Sequence, residues 1–174
     1  MYTRNCKGDE YIIVMAKSDD WSTPPTIMKV LDDEFHFTLE VCAAADNRAL
    51  PHVPYLGLDN GKDALQCEWF EGKSGVAYPN PPYSKLPQFI YTACVWSMVA
   101  NSTVVMLIPV YTDTSVWHDC IKRDASEVRF LRGRLAFLMN GKKQTTARFP
   151  SAVVVFKGPP TAKLSLWDWK ENLK

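Results

Sequence analysis

Residues 75–83 read Gly75-Val76-Ala77-Tyr78-Pro79-Asn80-Pro81-Pro82-Tyr83. A short apolar strand, 75–78, is halted by Pro79, which cannot donate to a sheet ladder. Downstream, Phe89, Ile90, Ala93, Cys94, Val95, Met98 and Val99 predict a helix over 86–100 with a broad apolar face. Residues 103–110 are nearly all apolar, as expected of a strand covered on both faces. Strand, tetrapeptide, helix and buried strand in this order put Asn80 to Tyr83 at the carboxyl end of a parallel strand. Open α/β sheets bind their ligands there.

Upstream, Asp20-Trp21-Ser22-Thr23-Pro24-Pro25 precedes Ile27, Val30 and Leu31 at helical spacing. The two prolines favour a helix start. Residues 37–42 read as a short buried strand, and Glu40 within it needs a partner because a buried carboxylate is costly. Residues 46–62 are irregular, with Pro51, Pro54, Gly57 and Gly61. Beyond the central strand, Asp113 or Thr114 can N-cap a helix to about residue 123. Residues 127–137 and 152–156 are further strand candidates, and the polar basic stretch 140–146 reads as a loop. Alternating helices and strands predict an α/β fold with a mostly parallel sheet. The last two strands, joined without a helix, predict an antiparallel edge.

The chain has 174 residues, 20 Lys+Arg against 19 Asp+Glu, and 47% hydrophobic residues. That suits one domain with a real core and excludes wholesale disorder. No apolar run approaches the length of a transmembrane helix. The first ten residues lack the basic-then-apolar pattern of a signal peptide. Five cysteines, at 6, 42, 67, 94 and 120, show no metal-ligand spacing with one another or with His36, His52 and His118. Reduced thiols in a cytosol and no metal are the expectation. The net charge of +1 hides an asymmetry. Residues 1–70 carry twelve acidic and six basic side chains, and residues 121–149 carry two acidic and eight basic. Such a split suits one face that meets a polyanion.

The tetrapeptide carries the chemistry. Asn80 offers an amide oxygen, and Pro81 offers a carbonyl but no N–H. Two adjacent prolines stiffen the loop and hold both acceptors in place. Tyr83 supplies a ring on which a base can stack. Two acceptors and a ring suit a planar substrate with an exocyclic amine.

Asn80-Pro81-Pro82-Tyr83 resembles the (D/N)PP(Y/F) motif of amino-group methyltransferases that use S-adenosylmethionine. Further segments are similar to a narrower group, the phage-type, Dam-like DNA N6-adenine methyltransferases. These are Asp20 to Pro25, Glu34-Phe35-His36-Phe37-Thr38-Leu39-Glu40, Asp63-Ala64-Leu65 before Trp69, Val105-Met106-Leu107-Ile108-Pro109, Asp113-Thr114, Val128-Arg129-Phe130-Leu131-Arg132-Gly133-Arg134-Leu135 and Phe149-Pro150-Ser151-Ala152-Val153-Val154-Val155-Phe156. Their joint order is far more specific than any one of them. The resemblance implies a Rossmann-like methyltransferase domain over 19–156, after an extension over 1–18 and before a tail over 157–174.

The resemblance also implies roles. Trp21, Thr23 and Pro24 match the segment that approaches the methionine part of the cofactor. Glu40, Cys42 and Ala43 match the cofactor-binding strand end, although the usual glycine-rich turn is missing here. Asp63 matches a carboxylate near the cofactor's adenine amine. The ribose-binding acid stays open among Asp46, Asn47 and Asp59. Asn80, Pro81, Pro82 and Tyr83 match the catalytic loop of direct methyl transfer to an adenine rotated out of the duplex, with S-adenosylhomocysteine as product and no metal. Arg129, Arg132, Arg134, Lys142, Lys143 and Arg148 are the candidate contacts to DNA phosphates. A phage or prophage gene acting in a bacterial cytoplasm follows. The alternatives are a methyltransferase for RNA or a protein glutamine amide, and a non-catalytic nucleic-acid-binding relic of the fold. Residues 157–174, with Trp167 and Trp169, form either a packed tail or a partner contact.

Overall fold

A computed structural model describes residues 2–4, 10–12, 21–99, 101–139, 142–143, 146–160 and 163–173. Strands β1 (Tyr2–Arg4) and β2 (Glu10–Ile12) pair antiparallel with each other. The chain continues through β3 (Trp21–Ser22), α1 (Pro25–Phe35), β4 (Leu39–Val41), β5 (Tyr55–Leu56) and β6 (Val76–Pro79). Then come α2 (Leu86–Val99), β7 (Thr103–Pro109), a π-helical turn (Trp117–Ile121) and α3 (Lys122–Asp124). Last are β8 (Glu127–Leu131), β9 (Leu138–Met139), β10 (Lys142–Lys143), β11 (Ser151–Lys157) and β12 (Lys163–Trp167).

The main sheet has seven strands in the order β12-β8-β11-β7-β6-β4-β5. Strands β5, β4, β6 and β7 run parallel. Strand β11 is antiparallel to both β7 and β8. All seven residues of β7 are buried. Val104, Met106 and Ile108 point to the core under α2, and Val105 and Leu107 to the core under α1. Strand β11 repeats the alternation, with Ala152, Val154 and Phe156 on one face and Val153 and Val155 on the other. Side chains this deeply buried contribute roughly 1.5–3 kcal/mol each, which is why an apolar strand of this kind belongs at the centre. The chain is an α/β protein with helices on both faces of a mixed sheet.

Helix α1 starts as expected, with Pro25 in its first turn, and buries Ile27, Met28, Val30 and Leu31. It stops where His36 turns left-handed at φ 52° and donates its N–H to Asp32 O at 2.9 Å. Three expectations change. The antiparallel pair β8 and β11 is present, but β12 pairs parallel with β8 and takes the sheet edge. Strand β8 ends at Leu131 rather than near residue 137. Within the basic stretch, Lys142 and Lys143 form β10. Its partner β9 also pairs with β3, giving a second small sheet, β10-β9-β3. Past residue 156, Trp169 is buried against the α1 core, so the packed form of the tail is the one present.

The irregular span between β4 and β5 is organised by one buried ion pair. Glu40 is 0% exposed. Its carboxylate accepts from Arg48 Nε at 2.8 Å, Ala49 N at 2.7 Å and Leu50 N at 3.1 Å. Arg48 also donates to Leu50 O at 2.7 Å and to Val53 O, and stacks over the Tyr55 ring at 4.3 Å. Glu40→Ala strands a guanidinium and two N–H groups, and breaking such a pair costs about 3–5 kcal/mol. Guanidinium denaturation should show that loss, and an unchanged midpoint would overturn the role given to the pair.

Candidate active site

The segments that leave the carboxyl ends of β4, β5 and β6 enclose an open cleft of about 380 Å³. Cys42, Ala43 and Ala44 come from the first, Gly57, Leu58 and Asp59 from the second, and Asn80 and Pro82 from the third. Trp21 from β3, Phe89 from α2 and residues 62–65 complete it. Strand β4 lies between β5 and β6, so the cleft sits where the strand order reverses, the usual ligand crevice of such sheets. Its volume is within the range of roughly 300–1,000 Å³ typical of small-molecule sites.

The glycine-rich turn is replaced by a bend of other residues. Cys42 takes a left-handed φ of 63° directly after β4. Burial, helped by Asp63, pushes its thiol pKa far up, so it stays protonated. Glycine is required instead at Gly57, where a Cβ would lie 2.0 Å from Ala43 O. The next turn presents Asp59, which accepts from Ala45 N at 2.8 Å and Tyr55 Oη at 3.1 Å. The Ala45 N–H holds this carboxyl below the usual range, so an ionised acceptor stands in the cleft at neutral pH. Asn47 accepts from the Ser22 hydroxyl. Asp63 caps its own turn through Leu65 N at 3.0 Å while lining the cleft.

Asn80 is held by two bonds. Its N–H donates to Val41 O at 2.9 Å, and its side-chain Nδ2 donates to Trp21 O at 3.2 Å. With Nδ2 anchored on β3, the amide oxygen is turned away from Trp21. Pro81 is buried behind it, and Pro82 lines the cleft. Tyr83 opens a 3-10 turn, Tyr83–Lys85, that runs into α2. Its ring meets Phe149 edge-on at 5.5 Å and 74°, and Tyr111 meets the same Phe149 at 5.7 Å and 65°. Burial, with Tyr111 nearby, pushes the Tyr83 phenol upward, so it is a neutral, half-buried ring.

Of the candidate cofactor residues, Trp21, Cys42, Ala43 and Asp63 meet in the cleft. Glu40 lies behind it, its carboxylate consumed by Arg48 and two backbone N–H groups. Thr23 is also behind it, with its hydroxyl 2.7 Å from Tyr78 Oη. Pro24 caps α1. For the open ribose acid, Asn47 and Asp59 line the cleft and Asp46 does not. Gly57, Leu58, Lys62, Lys85 and Phe89 also line it without having been singled out. The signal for the second-strand turn was Tyr55-Leu56-Gly57-Leu58-Asp59, a two-residue strand followed by glycine and an acid.

The basic residues separate. Arg129 is spent internally, bidentate on Glu34 at 2.7 and 2.6 Å and paired with Glu127 at 2.9 Å. Phe35 and Trp167 flank its guanidinium, each at 5.4 Å. A phosphate would have to displace two carboxylates there, so Arg129 is a structural link between α1 and β8. Arg132, Arg134 and Arg148 are exposed. Arg132 pairs with Asp168 at 2.7 Å, and Arg134 donates to Arg148 O at 2.8 Å. The register Pro109↔Ser151 puts the residues just before Ser151, Arg148 among them, at the same sheet end as the cleft. The side chains of Lys142 and Lys143 lie outside the described residues.

Away from the cleft, Cys94, Cys120 and Asp124 bring donor atoms within 4.8 Å of one another. Both Asp124 oxygens accept from Arg123 at 2.7 Å. Burial pushes the thiols up, Cys94 to about 11 and Cys120 to about 12. This cluster joins α2 to α3 from distant parts of the sequence, so spacing along the chain did not reveal it.

A mixed α/β sheet with a cleft at its strand-order reversal and an Asn-Pro-Pro-Tyr loop at the rim is consistent with a methyltransferase fold. The chain matches the family model DNA N-6-adenine-methyltransferase (Dam) over residues 13–171 and belongs to that family. Its activity is adenine-N6 methylation of DNA. A curated relative is the DNA N-6-adenine-methyltransferase of Haemophilus phage HP1 (strain HP1c1), 28% identical over 168 residues, 90% of this chain and 92% of the relative. No helix among the described residues is long and apolar enough to cross a membrane.

Arg129→Ala removes the contacts to two carboxylates and two aromatic packings and should lower the thermal midpoint by several degrees. A wild-type melting curve would return Arg129 to the pool of free cations.

Proposed function

We propose that the chain transfers a methyl group from S-adenosylmethionine to N6 of an adenine rotated out of the DNA duplex, on a Rossmann-like sheet. Rotation is what the chemistry requires, because N6 of a base stacked and paired within a duplex is out of reach of such acceptors. The observation that carries the reading is the Asn80 amide, pinned through Nδ2 to Trp21 O at 3.2 Å.

The cleft residues fit the methyl donor. Apolar Leu56, Leu58 and Phe89 suit a purine ring, and Asp59 and Asn47 offer acceptors for ribose hydroxyls. Asp63 offers an acceptor for an exocyclic amine. Asp59 and Asp63 also suit a cationic ligand electrostatically. Bound there, S-adenosylmethionine supplies a methyl group already activated by a positively charged sulfur. Trp21, Cys42 and Ala43 would lie at its amino-acid end.

The protein's own part is positioning and electrostatics. The Asn80 oxygen and the Pro81 carbonyl accept from the target amino group, which localises the nitrogen lone pair and orients it for attack. Tyr83 gives the base a stacking face, and Phe149 backs that ring. The acceptors are already in place, so little reorganisation is needed at the moment of reaction. Arg132, Arg134, Lys142, Lys143 and Arg148 contact the phosphate backbone. The phage source of the relative supports a phage or prophage gene and a host-cytoplasmic site of action.

Two measurements test this. Radiolabelled methyl groups should enter duplex DNA at adenine N6. Labelling of RNA or a protein acceptor with none in DNA would overturn the substrate. Asn80→Ala should lower kcat by roughly 10²–10³-fold, the scale of removing one preorganised polar contact in a transition state. Calorimetric cofactor affinity should stay within about threefold, well under the 1.4 kcal/mol that a tenfold change represents. Full turnover in this variant would overturn the role of Asn80. Separately, Arg148→Ala should flatten the slope of log affinity against log salt by about 0.9, one phosphate contact's worth. An unchanged slope would remove Arg148 from the DNA interface.

A further inference from the structure

Two short arms converge on the catalytic amide. On β3, Trp21 accepts from Asn80 Nδ2 at 3.2 Å. Two residues on, Thr23 Oγ1 lies 2.7 Å from Tyr78 Oη. Tyr78 in turn precedes Asn80 by two residues on β6. The contacts form a closed ring: Trp21 to Thr23 along one arm, Tyr78 to Asn80 along the other, and a hydrogen bond across each end. Tyr78 is 0% exposed and Thr23 3%. Neither side chain lines the cleft. The Tyr78 ring is wedged against Phe37 at 5.4 Å, and its phenol is pushed well up by burial.

We infer that Tyr78 and Thr23 are positioning residues for methyl transfer, holding β3 at the distance from β6 at which the Trp21 carbonyl keeps the Asn80 amide aimed. This rests on the role proposed for Asn80. The physical reason is that β3 is short and belongs to another sheet. It is two residues long and, among the described residues, pairs with β9 alone, in a sheet separate from the one whose strand β6 leads into Asn80. Besides the packing of Trp21 on the α1-side core, the polar ties from the Trp21–Thr23 arm among the described residues include the Thr23–Tyr78 contact, the Asn80 bond itself and the Ser22 bond to Asn47. Removing the hydroxyl contact frees the carbonyl to drift from the amide. Misplacement of a reacting group by about 1 Å can cost on the order of 10²-fold in rate.

The test separates positioning from stability. Tyr78→Phe deletes only the hydroxyl and leaves Thr23 with a buried, unpaired one, so both the melting temperature and kcat should fall. Adding Thr23→Val replaces both partners with apolar groups of matching shape, which can be nearly neutral for stability. The double variant should recover its melting temperature while kcat stays down by roughly tenfold or more, a misplacement effect, with cofactor affinity near wild type. Thr23→Ser keeps the hydroxyl and should keep kcat. Recovery of kcat with melting temperature in the double variant, or full kcat in Tyr78→Phe, would reduce the pair to a fold contact. Full turnover of Asn80→Ala in the same assay would instead bring down the reading of the catalytic loop, which the pair's failure leaves standing.

Discussion

Much of the cleft depends on the carboxylate of Glu40, buried in the middle of β4 and paired with Arg48. Arg48 reaches across its own loop to the carbonyls of Leu50 and Val53, so it folds residues 48–53 into one shape. That shape lays β5 beside β4 in the register Glu40↔Tyr55. From this register follow the bond from Ala43 N to Leu56 O at 3.2 Å and the reach of Asp59 to Ala45. A buried ion pair seldom adds much net stability over an apolar pair of equal volume, because desolvation offsets attraction. Its role here is specification, since a two-residue strand between Pro54 and Gly57 has few other means of fixing its register.

The elements legible in the sequence are those whose form is dictated locally or by burial on both faces. Strands β6 and β7 and helix α2 fall within a residue or two of their expected bounds, because proline punctuation and apolar runs act at short range. The Asn80 loop is legible for the same reason. The span 42–65 is not, because long-range bonds hold it and its side chains are ordinary. Glu40 bears this out: a buried carboxylate needs a partner, and the partner is Arg48, eight residues on. Thr23 shows the same for a hydroxyl, whose partner Tyr78 is 55 residues away. Strand β12 was missed because Leu164 and Leu166 are exposed, leaving only Ser165 and Trp167 partly covered to mark it.

Charge composition identified a basic region but not which of its members are free. Arg129 is neutralised within the fold by Glu34 and Glu127, and Arg123 pairs with Asp124 at the surface. Arg132 shares its charge with Asp168 on the surface, where such a pair is weak and readily exchanged for a phosphate. The mid-strand charge of Arg129 is therefore structural, while Arg132, Arg134 and Arg148 stand exposed. On the proposed reading, few phosphate contacts go with weak DNA binding and a shallow salt slope, because the slope scales with the number of contacts.

Strand β3 links the two sheets. Its backbone pairs with β9, in the same small sheet as the basic strand β10. Its Trp21 carbonyl holds the Asn80 amide, and Trp21 also lines the cleft. A hydrogen-bond acceptor aimed by a neighbouring sheet is only as rigid as the joint between the sheets. Here that joint is made of Thr23, Tyr78 and the loop prolines, all of which have lost most of their freedom before substrate arrives. Pro81 and Pro82 fix φ, and Tyr78 is locked by packing. On the role proposed for Asn80, rate enhancement from a preorganised acceptor requires such prior loss of entropy, and covalent rings and buried aromatic packing supply it.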